Sequence, residues 1–312
     1  MKPIPAGRKT VSVIDWLLDS DPSIRWQVMR DLTDARPDEI AAERAKVAVE
    51  GWGARLLSLQ APDGKWGGGA ALPGWTSTNH TLWLLREMGI DPANPHVRRA
   101  VARVRDRVRW EYDENMRFFD GEVEPCINGT AVTVGSYFGE DVGGIVKRLL
   151  GEQMADGGWN CEQERGSTRG SFDTTIRVLE GLLEHERVTR GSPAVRAARE
   201  RGEQYLLERR MMRRLSTGEV IDPRYLQFSF PPGWHYDVLR GLDYFRATGA
   251  KPDDRIAEAI ALVEQKRDAS GRWPLEKPHE GEDHFAMDEG VGKPSRWNTL
   301  HAMRVLRWAG RA

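Results

Sequence analysis

The stretch LLGEQMADGGWNCE (residues 149–162) decides the reading of this chain, because it recurs. LLSLQAPDGKWGGG (56–69) and LVEQKRDASGRWPLE (262–276) repeat its order: the end of an amphipathic helix carrying Gln, a glycine turn, then Trp. Gln60, Gln153 and Gln265 align, as do Trp66, Trp159 and Trp273. The tryptophans lie 93 residues apart (66 to 159) and then 114 apart (159 to 273). Half of each interval matches a helical-pair repeat. The intervening units keep the helices without the marker, from His96 (HVRRAVARVRDRVRW) and from Ala194 (AVRAARERGEQYLLERR).

A second helix follows each unit, entered through PGWTSTNHTLWLLREMG (73–89), EPCINGTAVTVGSYFGE (124–140), GSFDTTIRVLEGLLEH (170–185), PPGWHYDVLRGLDYFRATG (231–249) and SRWNTLHAMRVLRWAG (295–310). DPSIRWQVMRDL (21–32) makes a sixth. Ser, Thr, Asp, Gly and Pro crowd their starts, and Gly89, Gly249 and Gly310 close their ends, as helix caps require. The Arg- and Glu-rich helices suit a solvated face, and the apolar, aromatic ones suit burial. No period-2 strand pattern of useful length occurs. The sequence therefore predicts an all-α protein, one domain over residues 1–312. Its expected form is a single (α/α)6 toroid of about twelve helices in two concentric rings.

Composition narrows the function. Charged residues make up 30% and hydrophobic ones 39%, the balance of a soluble globular chain. Lys and Arg number 46 against 47 Asp and Glu, which leaves no electrostatic footprint for nucleic acid or an anionic membrane. No run approaches the roughly 20 apolar residues of a transmembrane helix. The polar N-terminus, MKPIPAGRKT, lacks a signal-peptide core, so the expected location is cytoplasmic. Cys126 and Cys161 stand in unrelated local contexts and suggest no disulfide framework.

The Gln-x-x-x-Gly-x-Trp pattern, clearest in QMADGGW (153–159), resembles the QW repeat of squalene-hopene cyclases. Protein prenyltransferase β subunits carry a related turn. Through the repeat, the resemblance to this terpenoid cyclase and prenyltransferase superfamily covers nearly the whole chain. It implies that Gln and Trp staple neighbouring units, so that the marker reports architecture and not chemistry. The family's catalytic motifs are absent. There is no DxDD to protonate an alkene; DSDP (Asp19 to Pro22) reads as a helix cap, and KPDD (Lys251 to Asp254) as a turn. There is no DDxxD for magnesium diphosphate. The prenyltransferase zinc pattern maps onto Glu124 and Cys126, with Asp173 at the position of the family's His. That is an odd set for zinc, so Cys126 is read as a small buried helix-start residue. No metal or cofactor is expected. The loop HEGEDH (His279 to His284) reads as a charged lid over one mouth of the ring.

Helical phase picks out candidate lumen residues. Aligning the inner helices by their ends puts Met29, Leu82, Leu179, Leu239 and Met303 on the packing face. Gln27, His80, Arg177, Asp237 and His301 then fall on the opposite one. Asp173, Trp83, Arg240, Trp297 and Arg304 lie one turn away, and Trp234 joins them. Either this ring is a buried polar network that only fixes the fold, or it is a pocket for a small anionic or prenyl-like ligand. In the second case Arg177, Arg240 and Arg304 are anion contacts, with Trp83, Trp234 and Trp297 as substrate-binding walls. His80 and His301 are the candidate proton-transfer groups. Asp173 and Asp237, set among arginines, are expected to have lowered pKa values and to act as bases or charge partners. An enzyme acting on a small molecule, a non-catalytic binding toroid and a carbohydrate-processing toroid are the three functions compatible with this ring. Oligomeric state does not follow from it.

Overall fold

A computed structural model describes residues 11–113, 115–278 and 280–311. The chain is all-helical: α1 (Val13–Leu18), α2 (Pro22–Leu32), α3 (Pro37–Lys46), α4 (Gly51–Ser58), α5 (Thr78–Glu87), α6 (Pro95–Arg107), α7 (Pro125–Phe138), α8 (Gly143–Gly151), α9 (Phe172–Thr189), α10 (Pro193–Glu208), α11 (Val238–Ala247), α12 (Ala257–Gln265) and α13 (Arg296–Trp308). Isolated bridges such as Trp159 with Ser171 occur, but the described residues form no strand. None of their helices is long and apolar enough to cross a membrane.

Local chemistry sets the helix ends. Asp21 caps α2 by accepting from the Ser23 amide at 2.9 Å, with Pro22 in the first turn. Ser77, Ser171 and Ser295 cap α5, α9 and α13 in the same way. Helices α6, α10 and α12 bury one stripe each, Val97, Ala100, Val101 and Val104 in α6 for example. By contrast α5 buries every residue from Thr78 to Leu85. The buried helices contact one another in succession, α5 with α7, α7 with α9, α11 with α13, and α13 with α2. Polar bonds join the remaining neighbours. Trp26 Nε1 and Gln27 Nε2 of α2 donate to the Met88 and Glu87 carbonyls at the end of α5. Arg240 of α11 bridges to Glu180 of α9.

The Gln–Trp marker is a repeated hydrogen-bond device. The indoles of Trp66, Trp159 and Trp273 are buried, and each donates at 2.7 Å to the carbonyl ten residues earlier, of Leu56, Leu149 and Val263. Those carbonyls belong to the last turns of α4, α8 and α12, where donors within the helix run out, and that of Leu56 also accepts from the Leu59 amide at 3.1 Å. The backbone amide of each Trp donates to a threonine hydroxyl of the next buried helix, Thr78, Thr175 or Thr299, at 3.0–3.1 Å. Gln60 and Gln153 bridge two carbonyls apiece, Gly64 with Ala100 and Gly157 with Ala198, so each ties its turn to the following outer-type helix, α6 or α10. Gln265 is exposed and makes no such bond among the described residues. Replacement by alanine therefore separates the three: Gln153→Ala strands two carbonyls and costs about 1–3 kcal/mol, whereas Gln265→Ala stays within about 0.5 kcal/mol. Urea midpoints measure the difference, and equal losses would show that the side chain acts only locally.

Candidate functional site

The site begins with the closest helix pair. A Cβ on Gly129 of α7 would lie 2.7 Å from the Arg177 backbone of α9, and one on Gly181 would lie 2.5 Å from the Gly129 carbonyl. Only glycines permit this approach. It brings the first turn of α7, with Glu124 and Cys126, alongside the face of α9 that carries Asp173 and Arg177. The loop Ala71–Ser77 forms the opposite wall, held because the Glu111 carboxylate accepts from the Ala70, Ala71 and Leu72 amides. Between them opens a cleft of about 500 Å³, lined by Trp75, His80, Cys126, Asp173, Arg177 and Trp234 among others.

One wall is aromatic. Trp75 and Trp234 stack with centroids 4.4 Å apart and planes 11° from parallel, and His80 packs edge-on to Trp75 at 5.2 Å. Gly233 makes this possible, since its φ is +57° and a Cβ there would fall 1.6 Å from the Trp75 ring. Trp75 is buried, while Trp234 remains 46% exposed at the mouth. Both come from a Pro-Gly-Trp entry, PGWTS and PPGWHYD. That repeated tripeptide was the available signal for Trp75, which phase reasoning on the helix alone does not reach.

The three candidate arginines differ in their partners. Arg240 makes a bidentate pair with Glu180 at 2.8 and 2.7 Å and donates to the Gly233 and His235 carbonyls. Arg304 pairs with Asp31 at 2.5 Å and donates to Gln27 at 2.8 Å. Both are ion-paired within the protein, although the buried Arg304 Nε, like that of Arg177, has no hydrogen-bond partner among the described residues. Arg177 is only 5% exposed, yet among the described residues it enters no ion pair, and its buried Nε has no hydrogen-bond partner. Burial lowers its pKa to about 10. The Oδ1 of Asn79, on the same cleft, is likewise buried without a partner.

The remaining candidates divide between two cavities. Trp83, Asp237, Arg240 and His301 line a separate narrow cavity of about 70 Å³. Phe230 lines the same narrow cavity, stacked on Trp297 at 4.2 Å and tilted against Trp83 at 6.4 Å. Trp297 is fully buried and Trp83 nearly so, and their indole nitrogens have no hydrogen-bond partner among the described residues. Asp173 faces the larger cleft but is engaged, accepting from the Tyr236 amide at 2.7 Å and the Tyr225 hydroxyl at 3.3 Å. Asp237 caps α11 by accepting from the Arg240 amide at 2.9 Å. Contrary to the lowered value expected beside arginine, burial raises its pKa to about 6. Desolvation outweighs the attraction here because Glu180 already claims the Arg240 guanidinium. His301 is pushed down to about 4 by burial, against the pull of Asp243.

The two cysteines, distant in sequence, meet at the cleft. Cys126 Sγ, Cys161 Sγ and a Glu124 oxygen lie within 4.8 Å of one another. Cys161 opens a short 3-10 turn (Cys161–Arg165), two residues beyond the stapled Trp159. Asp173 is not in the group, so the third member differs from the one the sequence pattern suggested. The interaction of the two neighbouring thiols raises the Cys126 pKa and lowers that of Cys161. The loop read as a lid packs on the same region: the Trp75 indole donates to the Glu280 carbonyl, and His284 bonds Thr81 at 2.8 Å. His279 of that loop lies outside the described residues.

No protein-family model matches the chain, and no curated protein is similar enough in sequence to be matched to it.

The two shifted groups predict opposite pH trends. His301 titrates near 4 when folded and 6.5 when free, so its unfolded form takes up the proton first and stability falls as pH drops through that window. Asp237 moves from 3.8 to about 6, so its contribution falls as pH rises through its own window. His301→Gln should lose less stability than the parent on acidification, and Asp237→Asn less on the way up. Denaturant midpoints across both windows test this; slopes parallel to the parent's would remove these residues as the cause.

Proposed function

We propose that this chain is an α/α toroid of the squalene cyclase and prenyltransferase type, whose cleft binds a small organic molecule carrying an anionic group. The succession of buried helices supports the toroid, with α13 packed on α2 and the Arg307 side chain donating to the Asp31 carbonyl. The repeated Gln–Trp staple supports the kinship. The ligand reading rests on one observation above all. Arg177 is a buried cation at a cleft of about 500 Å³, with no carboxylate among the described residues paired to it. A charge withdrawn from water is costly until it is paired. Arg240 and Arg304 meet that requirement within the protein, and Arg177 leaves it for a bound anion.

The rest of the cleft fits such a molecule. The Trp75–Trp234 stack offers a flat apolar wall for a hydrocarbon body. The buried Asn79 oxygen adds an acceptor at the polar end. A diphosphate or carboxylate head would take bidentate hydrogen bonds from the guanidinium. His80 is the proton-transfer candidate on this cleft, and Asp173 is the carboxylate nearest to it in role. The smaller cavity, with its paired charges, reads as the polar network that fixes the fold.

Isoprenoid diphosphates are the first probes, with the matching alcohols and an acidic oligosaccharide beside them. A diphosphate at about 100 times its Kd stabilises the protein by about 2.7 kcal/mol. Arg177→Met weakens it by about 10- to 100-fold, and Trp234→Ala weakens the alcohol and the diphosphate alike. Equal thermal shifts in the parent and Arg177→Met would sink the reading. A response to the oligosaccharide alone would replace it with the carbohydrate one.

A further inference from the structure

We propose that Glu124, Cys126 and Cys161 form a binding site for a thiophilic divalent cation of the zinc class, at the wall of the cleft beside Arg177. Three donor atoms of suitable type already lie within 4.8 Å of one another, before any ion draws them together. Two sulfurs and one carboxylate oxygen are a donor set that suits zinc, and three protein ligands leave one coordination position open. All three residues line the 500 Å³ cleft, so the open position is accessible to a molecule bound there.

The backbone holds the donors in place. Glu124 and Cys126 sit at the N-cap and first turn of α7, whose position is fixed by the Gly129–Gly181 contact with α9. Cys161 follows Trp159, which is anchored by its indole bond to Leu149 and its amide bond to Thr175. The Asn160 side chain, capping the turn through the Glu162 amide at 2.9 Å, orients the cysteine further. The Cys126 thiol already points at Glu124, 3.5 Å from Oε2. Cation binding releases the two thiol protons to solvent as the sulfurs become thiolate ligands. Nothing in this arrangement requires the organic ligand, so the metal site stands or falls separately from the cleft reading.

The test uses the full chain, purified reduced, stripped with a chelator, reloaded with zinc and desalted. Elemental analysis is expected to find about one equivalent of zinc. Cobalt in its place should give a thiolate-to-metal charge-transfer band in the near ultraviolet. Cys126→Ser and Cys161→Ser should each abolish the band. Glu124→Gln should weaken zinc by at least about tenfold, since even outer-shell partners contribute that much. Zinc should also slow alkylation of both thiols in the unaltered protein, a readout that needs no variant to fold. Arg177→Met keeps the metal at saturating zinc while losing the anionic ligand, which separates the two proposals. Zinc retained no better than by the double cysteine variant, no thiolate band, or alkylation indifferent to zinc would each overturn the site.

Discussion

The hydrogen bond from a buried indole to the carbonyl ten residues before it organises this molecule. It appears at Trp66, Trp159 and Trp273 with the same 2.7 Å length. It adds a partner to a carbonyl in the last turn of a helix, where intrahelical donors run out, and the same tryptophan's amide reaches a threonine of the next buried helix. One residue thus fixes where one helix stops and how the next begins. Repetition of that junction aligns the entries of α5, α9 and α13. The cleft is built from such an entry region, and Cys161 owes its place to the second staple.

Within that frame, the buried arginines differ in whether a carboxylate among the described residues meets them. Buried arginines are tolerable where carboxylates meet them, as Glu180 meets Arg240 and Asp31 meets Arg304. The Arg240–Glu180 pair lines a narrow cavity with little room for a ligand. Arg177 breaks the pattern and faces the larger space. The contrast between paired and unpaired guanidinium groups carries more information than the count of polar residues on the inner faces. Buried carboxylates need not follow their nearest arginine either, as the raised Asp237 shows once that arginine is engaged elsewhere.

Much of the helical organisation was legible from residue order. The caps at Asp21, Ser77, Ser171 and Ser295, the stripes of α6 and α10, and the staple itself are local or periodic features, and a linear pattern records those. His80, Arg177 and Asp237 are all buried, but in α5 every residue from Thr78 to Leu85 is buried too, so burial alone does not mark a polar face. What phase could not supply was distance between helices. It placed Arg177, Arg240 and Arg304 as equivalents, and it set Trp297 on a ligand wall where the structure stacks it against Phe230 in the core.

The sequence by itself determined the helices, their order, the recurring junction and which side of each buried helix carries polar groups. These follow from spacing at 3.6 residues per turn and from capping chemistry, both confined to a few neighbouring residues. Tertiary structure alone decided which charges cancel, where space remains, and that Cys126 and Cys161 come together. Those outcomes depend on how closely two helices approach, and here that distance is set by paired glycines and anchored loops far apart in the chain. A side chain's direction is written locally, but the group it meets is not.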